Sequence, residues 1–306
     1  MPADFTQIEW NAALAQRCRH LIQLAQQEDL QPPDGCDLTT TSLVPRDRPG
    51  KAAIVAREEI IAAGLLVVVE VARLYSADLT VELSSSDGDT VYAGQTLATI
   101  SGPAADLLTA ERVMLNFLGR LCGIATQTRR YVDAVAGTGA HIYDTRKTTP
   151  AWRELEKYAV RCGGGRNHRT GLYDAILIKD NHLAFGDSGE EGSGYTPASS
   201  VRRAREFLAA RNSAAIVEIE VDTLEQLQIV LPENPDIVLL DNMPPEVLRE
   251  AVEMRKRLAP NVQLEASGGI TMENIRAIGL SGVERVSIGA LTHASRWVDV
   301  GLDWLN

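Results

Sequence analysis

The chain has 306 residues, 45% hydrophobic and 23% charged, a globular composition that excludes wholesale disorder and collagen-like order. Thirty Lys and Arg against 41 Asp and Glu give a formal charge of -11, which argues against a nucleic-acid binder but leaves room for a local cationic patch. This length suits a single barrel with an appendage, or one large domain plus a smaller one.

The cysteines Cys18, Cys36, Cys122 and Cys162 form no C-x-x-C pair, so zinc and redox-dithiol sites are unsupported and a reducing compartment is expected. The opening stretch MPADFTQIEW lacks a basic segment followed by an apolar one, so no signal peptide is expected and the chain reads as cytoplasmic. The longest apolar run, 60–69, is ten residues with Gly64 inside it, too short for a membrane span.

From about Gly50 to Ser101, short β-rich runs broken by Asp-Gly turns predict an antiparallel sheet of hairpins. DGDTVYAGQTL resembles the hairpin of biotin- or lipoyl-carrier modules, but no acceptor lysine follows, so a small sheet domain is the better reading. A helix is expected from about Ala110, with Val113, Met114, Phe117, Leu118 and Leu121 on one face. A narrower stripe of Arg112, Asn116, Gly119 and Gly123 would let another element approach closely. From about Ala140 the pattern changes to apolar strands, each followed by an amphipathic helix. The runs HIYD, AILIKD, AIVEIEVD, DIVLLDN, VQLEASGG and RVSIGA imply a parallel sheet, and their regular spacing favours a closed α/β barrel over an open sheet. No G-x-G-x-x-G opens the first unit, which disfavours a dinucleotide fold. The Gly-, Ser- and Glu-rich piece 186–194 is expected to be a surface loop, with a lid as the sharper alternative.

Active sites of such barrels lie at the C-terminal strand ends. Those ends carry Asp144, Thr145, Arg146 and Lys147; Lys179 and Asp180; Glu218, Glu220 and Asp222; Asp241; Glu265 and Ser267; and Gly289. If Val217, Ile219 and Val221 face the helices, Glu218 and Glu220 point into the barrel. There they pair with barrel cations or, with Asp241 alongside, bind a metal or hydroxyls; the second is the better reading. Between Arg146 and Lys179, eight cations face three carboxylates, a local charge of +5. Arg153, Lys157 and Arg161, at i, i+4 and i+8, fit a solvated face. Arg146, Lys147 and Lys179 sit at strand ends, and His168 and Arg169 follow a Gly163-Gly164-Gly165 turn. Guanidinium forks there suit several carboxylates or phosphates. Ser267-Gly268-Gly269 and Gly289-Ala290 offer backbone N–H groups for a phosphate.

The block DTRKTTPAWRELEKYAVRCGGGRNHRTGLYDAILIKDNH, with AERVMLNFLGRLCGIAT before it and EIEVDTLEQL, VLLDNM, EASGGI and SIGALTHA after it, resembles the quinolinate phosphoribosyltransferase family. EDLQPPDGCDLTTTSL near the N-terminus is similar too. The one departure is Cys122, where the family more often has serine. The resemblance implies phosphoribosyl transfer from phosphoribosyl pyrophosphate to quinolinate with decarboxylation and Mg²⁺, on the de novo route to NAD. It also implies a small N-terminal α/β sandwich over 1–125, a seven-stranded incomplete α/β barrel over 126–290, and a tail, about 291–306, packing back onto the sandwich. A homodimer is implied in which Arg112 reaches the partner's site. By the same resemblance, Arg146, His168, Arg169 and Lys179 match quinolinate-carboxylate contacts. Thr145 and Lys147 match substrate and pyrophosphate contacts, Glu220 and Asp241 match the ribose and Mg²⁺ positions, and Ser267, Gly268, Gly269 and Gly289 match the 5′-phosphate cradle. Lys147, Glu220 and Asp241 carry the expected catalysis. Two other readings are a pyridine phosphoribosyltransferase that does not decarboxylate, and a catalytically silent ligand-binding homologue. More cations than one carboxylate requires speak against the first, and intact Lys147, Glu220 and Asp241 against the second.

Overall fold

A computed structural model describes residues 4–31, 35–186 and 194–305; of the expected loop 186–194, all but the two end residues lie outside the described residues. The chain forms two compact units, one of residues 8–130, 147–165 and 290–306, the other of 1–7, 131–146 and 166–289.

The first unit opens with α1 (Ala12–Leu30), whose N-cap Asn11 side chain accepts from Ala13 and Leu14 N–H, and α2 (Leu38–Leu43), capped by Asp37. Strand β1 (Pro49–Ala56) and the short β2 (Ile60–Ile61) follow. Helix α3 (Leu65–Tyr75) starts at Gly64, where φ is +94° and a Cβ would meet Leu121 Cδ1 at 2.7 Å. The Asp87 carboxylate accepts the Leu65 N–H at 2.9 Å. β3 (Thr80–Leu83), β4 (Thr90–Val91) and β5 (Thr96–Pro103) complete the hairpin region. Helix α4 spans Ala104–Ala134, starting six residues before the expected Ala110. Its expected apolar face is buried throughout. α5 (Arg153–Cys162) also belongs here. Its cations do not form a solvated face: Lys157 is fully buried and Arg161 donates to Gly165 O at 2.9 Å.

The second unit holds six parallel strands, β6 (His141–Tyr143), β7 (Ala175–Ile178), β8 (Ile216–Val221), β9 (Ile237–Asp241), β10 (Gln263–Ser267) and β11 (Arg285–Ser287). They coincide with the six apolar runs read from the sequence. The crossovers carry α6 (Asp180–Phe185), α7 (Pro197–Ala209), α8 (Leu224–Val230), α9 (Pro245–Leu258) and α10 (Ile275–Gly279). The order is β6-β11-β10-β9-β8-β7. Beyond β6, Arg166 makes a single parallel bridge to Tyr143, so the position of a seventh strand is held by one bridge rather than a full ladder. Val217, Ile219 and Val221 are buried as expected of the helix-facing side, and the opposite side carries Glu218 and Glu220.

The chain's end returns to the first unit as α11 (Ala290–His293) and β12 (Val300–Trp304). β12 pairs antiparallel with β1, giving the sheet order β12-β1-β5-β3. Gly119 and Gly123 let residues 296–298 cross α4: a Cβ on Gly119 would lie 3.2 Å from Val298 O, and one on Gly123 would collide with Arg296 O.

Candidate active site

Register brings the C-terminal strand ends of the second unit to one level. Asp241 pairs with Ser267, Ser267 with Ser287, and Ser287 with Tyr143. Paired residues share a face, so Asp241 and Ser267 point the same way. Glu220 pairs with Leu239, two residues before Asp241, and therefore shares that face. Just beyond this level come Thr145 and Arg146, Gly268 and Gly269, and Gly289.

Lys179 Nζ makes an ion pair with Glu220, joining β7 to β8. The Asp241 carboxylate accepts from Asn242 Nδ2 at 2.7 Å. Asn242 has φ +54°, Gly268 +84° and Gly269 +60°. At Gly268 a Cβ would lie 2.9 Å from Asp241 Oδ1, so only glycine lets this turn close over the aspartate.

Arg169 is buried, and its Nη1 donates to Ala175 O at 3.2 Å. Burial, and then the Arg146 charge, pull its pKa below the ordinary guanidinium value, against Glu218 and Asp174. The Nε atoms of Arg146 and Arg169 are both buried with no hydrogen-bond partner among the described residues. A buried cationic N–H costs free energy unless something accepts from it.

His168 lies inside the barrel, its side chain only 5% exposed. Its Nε2 is 3.0 Å from Glu218 and 3.5 Å from Glu265, and its Nδ1 accepts the Arg169 N–H at 2.7 Å. Arg285 Nε donates to Glu265 at 2.8 Å, and the Arg285 guanidinium sits 3.7 Å from the Tyr143 ring centroid. His168, Glu218 and Glu265 are the one group among the described residues spaced to hold a metal ion. With the Arg285 cation already on Glu265, they are better read as part of a buried ion-pair network. Asp144, buried at the end of β6, accepts the His168 N–H at 2.9 Å and Asn167 Nδ2 at 2.6 Å. Strand-end position had marked Asp144, Glu218 and Glu265; nothing in the sequence marked Asn167 or Arg285.

In the first unit, Lys147 is exposed and its carbonyl accepts from Thr292 Oγ1 at 2.7 Å. The loop after it is held by the fully buried Glu156, which accepts from Thr149 N at 3.1 Å and Thr149 Oγ1 at 2.9 Å. Arg120 neutralises Glu156 at 2.6 Å and also donates to Ser295 Oγ at 2.9 Å. Arg112 is exposed on α4, and Ala290, at the head of α11, accepts from Gln127 Nε2 at 3.0 Å.

A parallel α/β-barrel enzyme carrying charged side chains and glycine turns at its C-terminal strand ends is the class these features define. The family profile described as "Quinolinate phosphoribosyl transferase, C-terminal domain" matches residues 124–303, and that for the N-terminal domain matches 37–122. The "Nicotinate-nucleotide pyrophosphorylase [carboxylating]" of Mycobacterium leprae is 44% identical over 290 residues, covering 93% of this chain and 96% of that protein. A probable enzyme of the same name from Bacillus subtilis is 41% identical over 87% of each chain. The nicotinate-nucleotide pyrophosphorylase structure from Francisella tularensis superposes with a TM-score of 0.87 at 33% identity, covering 99% of this chain and 100% of that one. The chain belongs to the quinolinate phosphoribosyltransferase family. Among the described residues, no helix is long and apolar enough to cross a membrane.

Proposed function

We propose that this chain transfers the phosphoribosyl group of phosphoribosyl pyrophosphate to the ring nitrogen of quinolinate. Pyrophosphate leaves from C1, CO2 leaves from the ring carbon beside the nitrogen, a proton replaces it, and the product is nicotinate mononucleotide for NAD biosynthesis. The observation that carries this reading is the pair of buried, unpartnered Nε–H groups on Arg146 and Arg169. Two guanidinium groups, with Lys179 as a third cation just past the end of β7, match a pyridine with two carboxylates. At 4 Å and an effective dielectric near 20, each such pair is worth about 4 kcal/mol before desolvation.

Arg146, Arg169 and Lys179 grip the carboxylates, and His168 contributes by accepting the Arg169 N–H. Thr145 and Lys147 hold substrate and pyrophosphate, and Lys147 neutralises the leaving group. Ser267, Gly268, Gly269, Gly289 and Ala290 cradle the 5′-phosphate through backbone N–H groups. Cleavage at C1 leaves positive charge on the ribose, which the Glu220 carboxylate stabilises. Glu220 and Asp241 present hard oxygen donors on one face of adjacent strands, a set that fits Mg²⁺. When bound, the ion would neutralise pyrophosphate charge. Ribosylation comes first, because the quaternised nitrogen then stabilises the carbanion left by CO2. The cytoplasmic setting and a homodimer sharing Arg112 belong to the same reading; four free cysteines support the former.

The test is a coupled assay for nicotinate mononucleotide with quinolinate and then nicotinate as acceptor. Product from quinolinate alone is expected. Equal rates with nicotinate would overturn the substrate assignment, and CO2 release without phosphoribosyl pyrophosphate would overturn the order of steps.

A further inference from the structure

Residues 4–7 lie far upstream of residue 37, where the family profiles begin to match, yet they belong to the barrel unit. Phe5 is buried, clustered with Ala175, Ile216 and Ile237 at the starts of β7, β8 and β9, so it closes the N-terminal end of the barrel. Its ring also stacks on His168, with centroids 4.4 Å apart and an interplanar angle of 27°. Gln7 grips the neighbouring residue twice: its Oε1 accepts the Asn167 N–H at 2.8 Å and its Nε2 donates to Asn167 O at 3.2 Å. The Asp4 carboxylate accepts from Tyr143 Oη at 3.1 Å, Arg285 Nη1 at 3.1 Å and Arg166 Nη1 at 3.4 Å. Asp4, Gln7 and Phe5 thus touch residues 166, 167 and 168 respectively, and Asp4 also touches Tyr143 on β6.

Those are the two backbones from which the cations emerge. Arg169 follows His168 directly and donates its N–H to the His168 ring. Arg146 follows Asp144, which binds both Asn167 and His168. Burial first, and then the like charge of Arg146, disfavour the charged Arg169 guanidinium, so holding both cations in place costs free energy until an anion arrives. Something must keep both backbones in place against that repulsion, and the segment 4–7 is attached to each.

We propose that Phe5 and Gln7 are positioning residues: through His168 and Asn167 they hold Arg169 and Arg146 in register for the two carboxylates of the pyridine substrate. The inference rests on the assignment of those arginines to quinolinate. Preorganising like charges before binding raises affinity for the dianion without touching it.

The experiment uses the full chain with Phe5→Leu, which keeps the barrel end filled but removes the stack, and Gln7→Ala, which removes the clamp while leaving the core intact. Either variant is expected to raise the quinolinate KM about tenfold, with the phosphoribosyl pyrophosphate KM within about twofold of the parent. Gln7→Glu keeps the acceptor but not the donor and is expected to fall between parent and Gln7→Ala. In an Arg169→Ala background, Phe5→Leu should add little, because its effect passes through that residue. A lowered Tm with both KM values unchanged would reduce the segment to a structural plug and overturn the proposal. If Arg169→Ala itself left the quinolinate KM unchanged, the substrate assignment would fall instead, and the two failures are distinguishable.

Discussion

Cys122 stands on α4 with its thiol donating to Ala63 O at 3.3 Å and accepting the Ala63 N–H at 3.2 Å. Burial pushes its pKa from 9.0 up to about 12, against the lowering effect of the Ala63 bond. Burial likewise raises Cys18 and Cys162 to about 12. The unfolded thiols lose their protons near pH 9 while the folded ones keep theirs. The unfolded state then binds fewer protons, so stability falls as pH rises, by up to about 1.4 kcal/mol per pH unit per thiol. The free energy of unfolding, measured by urea titration, should therefore decline between pH 9 and 11. Cys122→Ser retains both hydrogen bonds to Ala63 and lacks the titration, so it should flatten part of that decline. An identical slope in the variant would show that Cys122 contributes nothing to it.

The crossing of α4 by the chain's last turn depends on two small residues. A Cβ at Gly123 collides with the Arg296 carbonyl, whereas at Gly119 the nearest atom, Val298 O, is 3.2 Å away and would have to give only a few tenths of an ångström. Gly123→Ala should cost roughly 1–3 kcal/mol, because the backbone at Arg296 must move well out of the way, and Gly119→Ala less, because the shift needed at Val298 is smaller. Thermal unfolding of both variants checks the order, and equal Tm values would mean the crossing is looser than the geometry shows. This contact was legible in the sequence as a stripe of small residues, though its partner was not, since helix spacing says nothing about which distant segment arrives. The six barrel strands were legible for the same local reason: each is an apolar run bounded by a polar or small residue. Helix α3 was not, because LLVVVEVARLY lacks a polar face to reveal its period, and its start is set by Gly64 and by Asp87, twenty-two residues beyond Leu65. Among site residues, the inward course of Glu220 followed from alternation along β8. The placement of His168 deep in the barrel did not, because it is decided by Phe5, Glu218 and Glu265 from three separate parts of the chain.

At the scale of the molecule, a chain of net charge -11 carries a local excess of cations between Arg146 and Lys179, and the proposed homodimer adds Arg112 from the partner. It is exposed on α4, a helix whose neighbouring positions Val113, Met114 and Leu115 are buried. The proposed homodimer assigns it to the partner's carboxylate grip, and the proposed function assigns Lys147 to the site of its own subunit. Arg112→Ala and Lys147→Ala should each abolish most turnover as pure homodimers while the fold survives, as circular dichroism would show. Co-refolding equal amounts places half of the chains in mixed dimers. Each mixed dimer has one site with an intact Lys147 and an intact partner Arg112, and one site lacking both. Activity should therefore return to about a quarter of the parent's. Were Arg112 to act within its own subunit, every site in the mixture would lack one residue or the other and no activity would return.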